Sequence, residues 1–121
     1  MGTQNPVVFR SGAQRVGTFS NSITLTSPGL TTLLVPPLDT RMYRDLSFLQ
    51  ASNTSNTGVR VDITDGTLTY SWFLAPSGGG FNLCFNPPLP ASTAGTGWQA
   101  NISGPVTDVR VSAQCVEVIN G

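Results

Sequence analysis

Apolar and polar residues alternate with a period of two along most of this chain, and helical periodicity is almost absent. In residues 58–64 (GVRVDIT), Val59, Val61 and Ile63 fall on one face and Arg60, Asp62 and Thr64 on the other. In residues 67–74 (TLTYSWFL), Leu68, Tyr70, Trp72 and Leu74 share a face. Asp65-Gly66 lies between the two runs, a dipeptide suited to positive φ. The pattern predicts a hairpin closed by a two-residue loop.

Further strands are predicted over residues 22–26, 31–36, 45–52, 81–85, 97–103 and 106–119. Their ends are marked by Ser27-Pro28-Gly29, Pro36-Pro37, the polar run 53–58, the glycines 78–80 and Gly104-Pro105. In the last strand Val109, Val111, Ala113 and Cys115 share a face. Val116 and Val118 take the other, which predicts a bulge or a segment buried on both sides. A helical turn is expected around residues 38–44. The stretches PVVFRSG and RVGTF near the start fit either a strand or an extended arm. The expected architecture is all-β: a single antiparallel β-sandwich, jelly-roll-like, of about eight strands. It is read as residues 16–121, preceded by an N-terminal arm or first strand over residues 1–15.

The run CFNPPLPASTAGTGW, residues 84–98, interrupts this alternation with prolines and small residues. Only two predicted strands follow it, too few to fold alone. It is therefore read as a connection inside one sandwich, its prolines Pro87, Pro88 and Pro90 stiffening a crossover and blocking edge pairing.

Composition narrows the function. The 121 residues suffice for one domain with a real core. Only 10% are charged and 39% are hydrophobic, so Thr, Ser, Asn and Gly fill the polar quota. The net charge is zero and the six basic residues, all arginine, are scattered, which argues against nucleic-acid binding. No signal peptide is recognised, and no apolar run approaches the ~20 residues that would span a bilayer. A surface with so little charge repulsion suits a subunit packed into an assembly.

The residues for most catalysis are missing. Without histidine or lysine there is no Ser-His or Cys-His pair, no Schiff-base lysine and no zinc set. Asp62 and Asp65 have the look of a calcium loop, but the closing Glu and alternate oxygen ligands are absent from TLTYSW. They are read instead as a turn residue and a solvated strand residue beside Arg60. The carboxylates Asp39, Asp45 and Asp108 show no spacing that supports a glycosidase pair. Cys84 and Cys115 are read as two thiols in strands, with a single bridge as the alternative. Two glycosylation patterns, at Asn53 and Asn101, carry no weight without a secretion route. Trp72 is read as core, whereas Trp98, after a glycine-rich loop, could line a binding surface. No cofactor and no metal is expected.

From Pro88 to Val118 there is a proline-bearing loop, then Ser92-Thr93-Ala94-Gly95-Thr96, a strand opening on Trp98, a short turn and a final strand of alternating valines. This order resembles the C-terminal half of small β-sandwich decoration (cement) proteins of tailed bacteriophages. Residues 33–54 fit the same pattern loosely. The resemblance implies a non-enzymatic virion protein, made in the host bacterial cytoplasm and bound to the capsid surface. Its partners would be the major capsid protein and further copies of itself, with a homotrimer favoured. The expected contacts are Val7, Val8 and Phe9 in the arm, and Pro87, Pro88, Leu89, Pro90 and Trp98. The alternative is a carbohydrate- or receptor-binding module of a tail fibre or secreted enzyme, which an exposed Trp98 would favour.

Overall fold

The computed structural model describes residues 13–120. Eight strands run in the order β1 (Ala13–Leu25), β2 (Thr31–Leu34), β3 (Met42–Asn53), β4 (Val59–Thr64), β5 (Thr69–Leu74), β6 (Gly79–Leu89), β7 (Trp98–Ile102) and β8 (Val109–Asn120). One sheet has the order β1-β8-β3-β6 and the other β2-β7-β4-β5. Every pairing is antiparallel. The first strand pairs with the last, β2 with β7, β3 with β6 and β4 with β5, alternately in the two sheets. That nesting is a long antiparallel hairpin rolled over on itself, which is the jelly roll. The expected all-β sandwich is what the chain forms.

Alternation explains the core. Val59, Val61 and Ile63 of β4 meet Leu49, Ala51, Val109, Val111 and Ala113 from the other sheet in one buried cluster. Trp72 of β5 lies 5.0 Å, ring centroid to centroid, from Phe81 of β6, so the two sheets also touch through aromatics along one open side. Burying a side chain of leucine size stabilises the fold by about 2–3 kcal/mol, so this face carries the stability while the outer faces can stay Ser-, Thr- and Asn-rich.

The structure corrects several expectations. The β4–β5 loop is four residues, 65–68, because the register Thr64↔Thr69 closes the ladder before Asp65. No helix forms among the described residues. The stretch 38–44 holds one turn, with Met42 N donating to Asp39 O at 3.0 Å, and Arg44 already belongs to β3. The bulges lie in the neighbours of β8, not in β8. The register shifts between Arg15 and Gly17 of β1 and between Leu46 and Phe48 of β3. Burial on both sides does hold for β8, with Cys115, Val116 and Val118 all buried. The front half of the proline stretch is not a loop. Strand β6 continues through Pro87 and Pro88 to Leu89, and tolerates them because it is an edge strand. RVGTF and SITLT fuse into the single strand β1, which takes in Ala13 to Arg15 from the expected arm. The rest of that arm, with Val7, Val8 and Phe9, lies outside the described residues.

Both cysteines are free, Cys84 exposed and Cys115 buried. Burial pushes the Cys115 thiol up to about 11. In the native protein a thiol reagent at pH 8 should therefore titrate Cys84 rapidly and leave Cys115 unmodified until denaturant is added. A Leu49→Ala variant should lose about 2–5 kcal/mol in urea unfolding, because Leu49 is fully buried. A Phe73→Ala variant should change stability by less than about 1 kcal/mol, because that ring is 70% exposed.

Candidate functional site

The β2–β3, β4–β5 and β6–β7 connections gather at one end of the sandwich. Polar side chains lock them there. Asp65 is the centre of one lock. Its Oδ1 accepts the N–H groups of Thr67 (2.9 Å) and Leu68 (2.7 Å) within its own turn. Its Oδ2 accepts both the N–H and the hydroxyl of Ser92, each at 2.7 Å, from the β6–β7 loop. Burial alone would push the Asp65 carboxyl up. The backbone N–H groups of Ser92, Leu68 and Thr67, with the Ser92 hydroxyl, outweigh it and hold the carboxyl below the usual range. One residue before Ser92, at the start of that loop, Ala91 N donates to Asp45 Oδ1 at 2.8 Å.

Arg44 is the centre of the second lock. Its guanidinium bonds Glu117 on β8 through Nε (3.2 Å) and Nη2 (2.9 Å), lies 4.1 Å from the Phe19 ring centroid on β1, and donates through Nη1 to the Val35 carbonyl beyond β2. Its own carbonyl accepts the Trp98 indole N–H at 2.6 Å. The residue is 7% exposed. Two glycines let the β6–β7 loop come this close. Gly95 has φ of 79° and donates its N–H to Met42 O at 2.7 Å. At Gly97 a Cβ would stand 2.1 Å from Leu34 O.

The surface over these locks carries exposed apolar side chains. Leu38 is wholly in solvent at 103% exposure, with Val35 and Leu68 also exposed. Beside them a shallow depression of about 290 Å³ is lined by Leu34, Pro36, Asp65, Gly97, Trp98 and Gln99. Asp39 and Arg41 on the β2–β3 connection neutralise each other at 2.9 Å. Such a surface offers shape and apolar area to a partner. Among the described residues no group of three or more His, Cys, Asp or Glu could hold a metal ion.

The sequence-predicted contacts fall here unevenly. Pro87 and Pro90 are exposed, Leu89 is half-buried and Pro88 is buried. Trp98 is a correction: it is 0% exposed, packed 6.4 Å from the Tyr70 ring, and its N–H is satisfied inside the core. It cannot be a platform for a ligand. The calcium-loop look of Asp62 and Asp65 also dissolves into structure, with Asp62 bonded to Arg60 at 2.8 Å and to Ser71 at 2.6 Å.

Sequence reasoning missed Leu38, Arg44 and the second role of Asp65. An arginine among the inward positions Met42, Arg44 and Leu46, facing the lone acid of the last strand, was a readable signal for the ion pair. Nothing local pointed from Asp65 to Ser92. At the opposite end Asn53, read as the start of a polar loop and as a glycosylation pattern, is the last residue of β3 and fully buried. It donates to Thr57 O at 2.8 Å and Leu74 O at 3.3 Å.

No family model matches the sequence, and no curated relative does. Solved structures are distantly similar to it. The capsid asymmetric unit of cyanophage Pam1 matches at TM-score 0.47 and 12% identity, over 95% of this chain and 93% of that one. The virus-like particle of the extra small virus of the prawn Macrobrachium rosenbergii matches at 0.42 and 13%, over 98% and 87%. The tomato aspermy virus structure matches at 0.40 and 13%, over 95% and 86%.

The Asp65 lock gives a pH test. Its carboxyl is depressed in the folded state, so the stability it contributes is complete above the unfolded value of about 3.9 and is lost as pH falls through the folded value. Urea unfolding of the native protein should weaken from about pH 4 downward, and an Asp65→Asn variant should weaken less over that window. At pH 7 Asp65→Ala should cost about 2–3 kcal/mol, since it strands buried N–H donors.

Proposed function

We propose that this chain is a non-enzymatic virion structural protein, a decoration or cement subunit that binds the outside of a phage capsid and stabilises the shell. The observation that carries the reading is the loop end: a set of connections tied to both sheets, presenting Leu38, Val35 and Leu68 to solvent with almost no net charge. An apolar rim held this firmly costs little entropy to bury, which is what a static contact with a lattice requires. The thin ionisable inventory and the resemblance of residues 88–118 to decoration proteins point the same way. The partners are the major capsid protein and further copies of the chain, with a trimer favoured. Pro87 and Pro90 would add contacts from the end of β6 and the start of the β6–β7 connection, and Val7, Val8 and Phe9 of the N-terminal segment would add an arm. The mechanism is linkage: contacts that exist only on the assembled shell stabilise the assembled state. The alternative, a carbohydrate- or receptor-binding module, loses its supporting observation with Trp98 in the core.

Co-sedimentation with empty heads of the phage that encodes the chain tests the reading. The protein should pellet saturably with heads and raise their melting temperature. A Leu38→Asp variant, folded by circular dichroism, should bind about thirtyfold or more weakly, as for a contact worth some 2 kcal/mol. A protein that never pellets with heads would refute the proposal. Deletion of residues 1–12 separates the arm from the rim: unchanged binding would remove the arm alone.

A further inference from the structure

We propose that the free edge of β5 is a pairing site for a second copy of this chain, the two β5 strands running antiparallel and joining two sheets into one. The argument begins with the direction of the peptide groups. Ser103 N donates to Arg60 O at 2.9 Å, and Arg60 N turns the same way to meet the Ser103 hydroxyl at 2.9 Å. Arg60 thus directs its backbone towards β7, and by alternation so do Asp62 and Thr64. Val59, Val61 and Ile63 are left to bond β5, where they face Leu74, Trp72 and Tyr70. Thr69, Ser71 and Phe73 must then aim their N–H and C=O groups away from the sheet. The turn and loop backbone bonds among the described residues leave all three untouched.

The other edges are broken where β5 is not. Strand β1 has a register shift at Arg15/Gly17, and β2 is only four residues with a shift of its own. Strand β6 starts on Gly79-Gly80, shifts register, and runs into Pro87 and Pro88, which have no N–H to donate. Strand β5, TYSWFL, has no glycine, no proline, no charge and no register shift against β4. The usual guards against edge pairing are absent from it.

A second copy is the partner the edge fits. With a twofold axis at Ser71, Ser71 faces its own counterpart and Thr69 faces Phe73 in both directions. Each facing pair exchanges two backbone hydrogen bonds. No like charges meet, because β5 carries none and the flanking Arg60 and Asp62 are already paired at 2.8 Å. The Phe73 ring, 70% exposed, would lie against Thr69 of the second copy and lose water. Six residues a side bury less than the roughly 1,200 Å² of a standard interface. The contact is therefore weak between two free molecules and strengthens where many copies are held side by side. It does not rest on the virion reading, since failure to bind phage heads would leave the edge as it is.

Sedimentation equilibrium and hydrogen exchange across a concentration series test it. The native chain should form a reversible dimer with Kd between about 10 μM and 1 mM, and the amides of Ser71 and Phe73 should gain protection as concentration rises. Ser71→Pro removes an outward N–H and leaves the β4 backbone ladder in place, with loss of the Ser71 hydroxyl's bond to Asp62, and Phe73→Lys places a charge on the edge. Each should weaken dimerisation about tenfold or more. If Ser71→Pro fails to fold, Phe73→Lys decides alone. A native chain that stays monomeric through the series overturns the proposal, even if it binds an unrelated extended peptide. So does a dimer that persists unchanged in the folded variants.

Discussion

The buried guanidinium of Arg44 is the constraint from which the loop end is built. A charge at 7% exposure must be paired and hydrogen-bonded or it would cost several kcal/mol. Glu117, the Phe19 face and the Val35 carbonyl meet that demand from β8, β1 and the exit of β2. The backbone carbonyl of the same residue holds Trp98 at the start of β7. One residue therefore fixes both sheets relative to each other where their connections leave the core. Its geometry depends in turn on the extra residue at Ser47, which rotates the start of β3 so that Arg44 and Leu46 face inward beside Glu117 and Cys115.

The rest of that end follows from having fixed this point. The β6–β7 loop passes over it close enough that Gly97 admits no side chain, and it returns to Asp65 through Ser92. Prolines contribute by exclusion: they sit on an edge that need not donate. The apolar residues left over, Leu38 above all, stay in solvent.

Much of the fold was legible because it follows from period-two alternation. The inward faces of β4, β5 and β8 could be assigned from residue order alone, and so could the hairpin at Asp65-Gly66. What escaped depends on which strand meets which. A bulge such as that at Ser47 has no composition of its own, and shows only once two strands are aligned. Trp98 looked exposed because a glycine-rich loop precedes it. The same glycines are what bring the loop onto the core and seal the tryptophan beneath. The tie from Asp65 to Ser92 spans two strands of sequence and has no local mark. The leucine and the locks of the candidate surface were therefore hidden from a reading of residue order.

Four arginines are spent on acids close at hand: Arg41 on Asp39, Arg44 on Glu117, Arg60 on Asp62, and Arg110 beside Asp108 at 3.9 Å. Opposite charges this close cancel within a few ångströms, so little field reaches past the roughly 8 Å over which physiological salt would screen it. Approaching molecules are neither drawn in nor turned away at a distance. Association rates should then change little between dilute buffer and strong brine, and selectivity is left to the fit of one surface against another.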